Sequence, residues 1–311
     1  VFVGLFDIFS GLFRKSDKAA SGKGTAPPPP AKKKKLPIVN VEKRFELMGR
    51  TGQGSMSKVF RAYDRESGKT VCLKILDKEK TLKFEARFQG LNRPPEGEIC
   101  ELMKHRNIVQ TFEHGITTAK EPYVVMELVD GMGLNFLIET RSKQLEGHRI
   151  DYLTQLADGI EYMHKLGFLH RDICPRNVMV DKEGVVKIID LGLAVPYKPA
   201  FCKPGNRTGT TNYLAPELIK RQTTDHRVDM FALGVTAFET FTGLLPWERA
   251  ASLQVLLSLM NKPARDPREL RPDIDEETAQ FLTKSVERDP RDRYQNPKQF
   301  REALQALPAH W

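Results

Sequence analysis

Two short runs, residues 58–64 (KVFRAYD) and 70–76 (TVCLKIL), alternate apolar and polar positions with the period of a half-buried strand. Arg65-Glu66-Ser67-Gly68 between them has the composition of a turn, so the pair predicts a β-hairpin. A helical segment over about residues 96–104 follows, then strand-like stretches at 107–115 and 122–130. Past Gly131 the apolar spacing becomes mostly helical, in 150–167, 228–243, 277–286 and 296–307. A strand-rich part followed by a helix-rich part is an α+β order, here two lobes with a seam near residue 130. The chain has no internal repeat.

The first forty residues follow other patterns. On a helical wheel Phe2, Leu5, Phe6, Ile8, Phe9, Leu12 and Phe13 share one face; Gly4, Asp7, Ser10, Gly11 and Arg14 share the other, and only Val3 is misplaced. This predicts a short amphipathic helix with basic residues after it. A secretory signal carries its positive charge before the apolar run, so the order here argues against one. Residues 19–37, with prolines at 27–30 and lysines at 32–35, favour polyproline II and repel along their length, which predicts an extended linker.

Composition adds little to this picture. With 40% hydrophobic and 29% charged residues in 311, collagen-like, wholly disordered and disulfide-scaffold classes drop out. No run approaches the ~18 apolar residues of a membrane span. Cys72, Cys100, Cys174 and Cys202 form no CxxC pair and no metal-ligand spacing, which points to free thiols in a reducing, cytoplasmic setting. Charge changes more. A net +9 suits nucleic acid, but residues 1–40 hold eight basic residues against two acidic ones, so the remainder is close to balance and nucleic acid drops out as the expected partner. The basic tail beside an aromatic face suits three readings for residues 1–35: peripheral contact with an anionic membrane surface on the inner side, docking to a protein partner, or plain disorder.

The candidate chemistry begins at Gly52-Gln53-Gly54-Ser55-Met56-Ser57-Lys58-Val59. Small residues there suit a tight turn. A dinucleotide-binding loop would open a helix, whereas this one leads into a strand, which also suits a hairpin offering backbone N–H groups to a triphosphate. Lys74 lies inside an apolar strand, where an unpaired ammonium costs several kcal/mol, so a carboxylate or a phosphate must accompany it. Further along, His170-Arg171-Asp172-Ile173-Cys174-Pro175-Arg176-Asn177 precedes an apolar strand pair and then Asp190-Leu191-Gly192. Asp172, Asn177 and Asp190 offer oxygen donors of the kind Mg²⁺ takes alongside a triphosphate. Singly each reads as a turn or a cap; their order and spacing together argue for a site.

In this order the motifs resemble those of the eukaryotic-type (Hanks-type) serine/threonine protein kinases over residues 44–306: the glycine loop, VCLK, HRDICPRN, DLG, and Gly209 through Ala215-Pro216-Glu217. The resemblance implies a protein-kinase-like bilobal α+β fold, with a small β-rich N-lobe at about 44–130 and a larger helical C-lobe at about 131–306. Residues 1–43 would be a tail and 307–311 a terminal end. It implies ATP and Mg²⁺, and phosphoryl transfer to Ser/Thr hydroxyls of a protein substrate. Carried over, Lys74 would hold the α- and β-phosphates and pair with a helix glutamate, Glu96 being the choice and Glu98 and Glu85 the alternatives. Asn177 and Asp190 would hold the metal, and Asp172 would accept or orient the hydroxyl proton. Gly52, Gly54, Ser57 and Val59 would cover the nucleotide; Met126, Glu127 and Leu128 would border the adenine. Arg171 would clamp a phosphorylated segment, Asp229 would brace the catalytic loop, and Arg293 would pair with Glu217 as scaffold.

The chain departs from the family pattern at several positions. Ser57 replaces the third loop glycine, which implies looser phosphate contact, and Leu191 replaces a phenylalanine without loss of apolar character. Pro94 and Pro95 put the start of the helix near Glu96 itself. Cys174 stands where serine/threonine kinases carry a lysine that contacts the γ-phosphate, and losing such a donor costs on the order of 10²-fold in rate. A slow kinase is therefore expected, with a pseudokinase binding module as the alternative. A small-molecule phosphotransferase is a third reading, against which the long segment 190–217 speaks. Asn206 occupies the usual phosphoacceptor position, so Thr208 is the expected acceptor, with Thr210 and Thr211 as alternatives. Arg176 before Asn177 argues against a preference for arginine-rich peptides.

Overall fold

In the computed structural model, which describes residues 36–53, 57–205 and 207–311, the alternating runs become strands of one six-stranded sheet. Its members are β1 (Ile38–Val39), β2 (Phe45–Gln53), β3 (Ser57–Asp64), β4 (Lys69–Leu76), β5 (Thr111–Thr117) and β6 (Pro122–Met126), in the order β1-β5-β6-β4-β3-β2. The expected strand at 107–115 forms only from Thr111; Ile108 makes a single bridge to Ile188. The ladder between β3 and β4 runs unbroken from Ser57↔Leu76 to Asp64↔Lys69, whereas that between β2 and β3 slips twice, between Leu47 and Gly49 and between Arg50 and Gly52.

Register decides which way the sheet's chemistry faces. Residues directly opposite in an antiparallel pair share a face, so Val59, Lys74 and Val124 lie together, with Cys72 and Met126 beside them. The other face carries Ala62, Val71, Leu73, Tyr123 and Val125, which close with Val39 and Phe45 into a small core. Lys74 is thereby kept out of that core and turned toward the second lobe.

The folded unit begins at Leu36 rather than at residue 44. Ile38 and Val39 pair in parallel with Ile116 and Thr117, and α1 (Val41–Arg44) is capped by Asn40. Arg44 then joins Asp64 at 2.9 Å and Glu113 at 2.8 Å, tying the entry of the chain to two strands. Two strand residues after a proline carry no visible period, which is why composition assigned them to the tail. The expected amphipathic helix and the expected linker at 19–37, up to residue 35, lie outside the described residues; Pro37 is already tied in, its carbonyl accepting the Ile116 N–H at 3.0 Å.

Two helices belong to the sheet's side, α2 (Lys78–Glu85) and α3 (Glu96–Leu102). The second lobe holds α4 (Leu134–Glu139), α5 (Arg149–Lys165), α6 (Pro216–Ile219), α7 (Arg227–Thr242), α8 (Leu253–Met260), α9 (Pro267–Leu270), α10 (Glu276–Ser285) and α11 (Pro297–Gln305). Short strands accompany these helices: β7 (Gly131–Gly133) just before α4, and β8 (Phe168–Leu169), β9 (Val178–Asp181), β10 (Val186–Ile188) and β11 (Val195–Pro196) between α5 and α6. Every residue of α7 after Arg227 is buried, Asp229 and Glu239 among them, and it ends at Gly243 in the left-handed region. Among the described residues no helix is long and apolar enough to cross a membrane.

Residues 307–311 pack onto this lobe. The Trp311 carbonyl accepts a 2.7 Å hydrogen bond from the Arg149 N–H at the start of α5, and its indole N–H donates to Asp275 at 3.1 Å. The Arg271 guanidinium lies 4.5 Å from the ring centroid and the Phe241 ring 5.5 Å away. Replacing this buried side chain, Trp311→Ala, removes a large apolar body and leaves a cavity. The expected cost is about 3 kcal/mol, read as a lower urea midpoint with an unchanged slope; an unchanged midpoint would contradict this packing role.

Candidate active site

Lys74 projects from β4 into a three-charge cluster. Its Nζ lies 2.6 Å from Glu96 Oε1 and 2.9 Å from Asp190 Oδ1. Burial works against the ammonium, but the charges of Asp190 and Glu96 outweigh it and hold Lys74 above its ordinary range. Burial raises Glu96, and the pull of Lys74 only partly offsets this. Burial also works against charged Asp190, yet Lys74 and the Gly192 N–H, 2.8 Å from Oδ1, keep it below the usual carboxylate range.

Of the three candidate glutamates the fold selects Glu96. It is the first residue of α3, directly after Pro95, while Glu98 on the same helix is exposed and Glu85 ends α2. The helix sits this close to the sheet because residue 97 is glycine: a Cβ there would come 2.6 Å from the His114 side chain. Arg93, which sequence reasoning passed over, ties this region to the segment after Asp190. Its Nε donates to the Ala194 carbonyl at 2.9 Å and its Nη2 to that of Gly192 at 2.8 Å. The only signal for it was a charged residue ahead of two prolines.

Below the cluster, Asp172 is held from both sides. Its Oδ1 accepts the Thr210 N–H at 2.7 Å and its Oδ2 the Asn177 side-chain amide at 2.9 Å. The same Asn177 nitrogen donates to the Asp172 carbonyl at 2.8 Å. Asn177 Oδ1 and Asp190 Oδ2 are left with no hydrogen bond among the described residues. Two free oxygens, one from a carboxylate, match what Mg²⁺ takes from protein when phosphates and water fill its other positions. The excess of negative charge in the Lys74, Glu96 and Asp190 cluster points the same way.

The 170–172 loop hangs from Asp229, at the start of α7. Its carboxylate accepts the N–H groups of His170 and Arg171, each at 2.8 Å, and lies 2.9 Å from His164 Nε2. Burial opposes its charge, but these partners keep it below the usual carboxylate range. Arg171 is held at φ +69°, a strained conformation for a bulky residue that the two backbone bonds to Asp229 maintain. Its Nη2 donates to the Phe201 carbonyl at 2.8 Å, while Nε and Nη1 are buried without a partner among the described residues. Arg293 grips Glu217 with two bonds of 2.9 Å, both side chains buried.

The remaining expected positions spread around the cleft. Gly52 pairs with Val59, which lies opposite Lys74; Ser57 is a buried strand residue opposite Leu76 rather than part of a turn; Gly54 lies outside the described residues. The Glu127 carboxylate is already engaged, accepting the Gln110 N–H at 2.7 Å and Lys187 Nζ at 2.8 Å. The Glu127 carbonyl and both backbone groups of Leu128 make no hydrogen bond among the described residues, which leaves them free for the edge of a heterocycle. Cys174 is buried, its Sγ 3.7 Å from Thr210 Oγ1, and burial pushes the thiol up to about 11. Arg176 Nη2 lies 3.4 Å from the same hydroxyl. Thr208 is buried, so the segment must shift before its hydroxyl can be modified. Asn206 lies outside the described residues.

Comparison with known proteins agrees with this geometry. The family model described as "protein kinase domain" matches residues 45–307. A probable serine/threonine-protein kinase of Clostridium perfringens is 30% identical over 259 residues, 83% of this chain and 37% of that protein. A serine/threonine-protein kinase of Myxococcus xanthus is 31% identical over 288 residues, 88% of this chain and 40% of its own length. The Aurora kinase of Saccharomyces cerevisiae is 28% identical over 249 residues, 80% of this chain and 65% of that protein. The chain thus spans about two fifths of the length of these two bacterial relatives. With the motif order, the fold and the family model in agreement, the chain belongs to the protein kinase domain family.

Proposed function

We propose that this chain is a serine/threonine protein kinase that transfers the γ-phosphoryl group of ATP to hydroxyls of protein substrates. The observation that carries the reading is the simultaneous contact of Lys74 with Glu96 and Asp190. It brings a strand, a helix and the DLG segment into one array with a lysine that has a third N–H to offer a phosphate. Phosphoryl transfer asks mainly for positioning and charge stabilisation, and the residues divide along those lines.

Lys74 would bind the α- and β-phosphates while Glu96 fixes its direction. The hinge groups of Glu127 and Leu128 would take the adenine edge, with Val59, Cys72 and Met126 on the sheet face above it. Asn177 and Asp190 would hold Mg²⁺, which when bound neutralises charge on the phosphate oxygens. Asp172, fixed by Asn177 and the Thr210 N–H, would orient the substrate hydroxyl and accept its proton. Arg176 beside Thr210 disfavours arginine-rich peptides. For residues 1–35 the proposal is reversible contact with an anionic membrane surface. Deletion of residues 1–18 is expected to lower co-sedimentation with anionic liposomes; equal sedimentation would dismiss the contact.

A second reading, a binding module with little or no transfer, is favoured by one observation, the neutral thiol of Cys174. Two variants separate the readings. Asp172→Asn is expected to lower transfer from ATP to casein by about 10²-fold or more, and equal, background-level signals from both proteins would sink the enzyme reading. Cys174→Lys restores an ammonium beside Thr210 and is expected to raise the rate by up to about 10²-fold. No gain would mean that the thiol is not what limits the reaction.

The thiol itself can be checked independently. With its titration pushed up to about 11, Cys174 stays protonated through neutral pH, and only the thiolate is nucleophilic. Iodoacetamide at pH 8 is expected to leave Cys174 unmodified in the folded protein and to modify it after denaturation, as read by peptide mass spectrometry. Rapid native labelling would contradict the buried environment.

A further inference from the structure

Two side chains of one short turn meet at the Thr210 hydroxyl. Cys174 leads into the turn Pro175–Asn177 and Arg176 stands at its middle, with Cys174 Sγ 3.7 Å and Arg176 Nη2 3.4 Å from Thr210 Oγ1. The Thr210 N–H meanwhile donates to Asp172 Oδ1 at 2.7 Å. The segment lies this close to the loop because residue 209 is a glycine at φ +132°, where a Cβ would come 2.7 Å from the Arg171 carbonyl oxygen. Asp172, Cys174 and Arg176 are thereby gathered around a single threonine.

Of the two groups at that hydroxyl only one is charged. The thiol, pushed up to about 11 by burial, stays neutral. The Arg176 side chain is exposed and forms no ion pair among the described residues. Glu239, near enough to feel its charge, is already held by the Tyr213 hydroxyl and by Arg249 at 3.8 Å. One long hydrogen bond leaves the other N–H groups of the guanidinium unused, and their planar fork matches two oxygens of a phosphoryl group. We propose that Arg176 is a catalytic residue, its guanidinium binding the γ-phosphoryl oxygens of ATP and supplying beside Asp172 the positive charge that the Cys174 thiol cannot. The proposal rests on the kinase reading and deepens it. In the step, the substrate hydroxyl oxygen forms a bond to the γ-phosphorus, and the bond from that phosphorus to the β–γ bridging oxygen breaks, its electron pair leaving with ADP. The hydroxyl proton goes to Asp172. Arg176 exchanges no proton and contributes charge alone, as a guanidinium that stays protonated must.

Two measurements on the full chain test this, one without transfer. In calorimetric titrations with Mg²⁺ present, Arg176→Gln should weaken binding of the non-hydrolysable analogue AMP-PNP several-fold and leave ADP binding unchanged, because only the former carries a γ-phosphate. In transfer from ATP to casein, the same variant should lower kcat by about 10²-fold with the KM for casein unchanged. Arg176→Lys, which returns a charge without the fork, should recover part of that loss. Cys174→Lys should raise the rate more in the Arg176→Gln background than in the chain that keeps Arg176, since the two cations would serve one phosphoryl group. Arg106→Gln, at an exposed cation elsewhere, serves as the control and should change neither measurement. Equal effects of Arg176→Gln on AMP-PNP and ADP would overturn the proposal, and so would an unchanged kcat with a raised KM for casein, which would assign Arg176 to the peptide. Wild-type transfer no better than that of Asp172→Asn would instead sink the kinase reading, and the nucleotide titrations would still decide whether Arg176 reaches the γ-phosphate.

Discussion

The contact of one buried ammonium with two carboxylates governs the arrangement of the two lobes. Lys74 comes from the sheet, Glu96 from the helix beside it, and Asp190 from the far end of the strand pair in the second lobe. Removing the ammonium leaves both carboxylates uncompensated, the buried Glu96 above all, which costs several kcal/mol, so the three elements are tied together through Lys74. Other contacts serve the same end. Gly97 permits the close approach of the helix, Arg93 fastens the segment after Asp190, and Asp229 fixes the loop that carries Asp172.

Much of this was legible in the chain because it is local or because it forms an ordered set. The alternation around 58–76 gave the hairpin, and a lysine inside its apolar strand called for an anionic partner. The order of glycine loop, lysine, HRD, DLG and APE carried the family. What could not be read depends on contacts between residues distant in sequence. Ile38 and Val39 become a strand only because β5 offers them an edge. Trp311 becomes core only because Arg149, Phe241 and Arg271 surround it. Ser57 looked like a turn residue by its place in a glycine-rich run, but pairing with Leu76 makes it part of the ladder. Glu96, by contrast, was the choice from sequence over Glu98, and α3, which begins directly after Pro95, turns it and not Glu98 inward.

Cys174 shows how a single departure is absorbed by a site. The thiol is small, buried and neutral, so it fills its space beside Thr210 without disturbing Asp172, whose two oxygens keep their bonds. What the site holds there is a neutral group where the family resemblance would put an ammonium. Geometry and charge are separable here, and the chain has kept the first while altering the second.

The two kinds of pairing in the sheet have a mechanical consequence. The ladder under Lys74 is continuous over β3 and β4, whereas the outer strand β2 is interrupted between Leu47 and Gly49 and again between Arg50 and Gly52. Irregularities of that kind bend a strand and weaken its coupling to its neighbour. The sheet therefore resembles a stiff plate with one compliant border. The irregular pairing is confined to that border and does not reach the ladder that carries the ammonium.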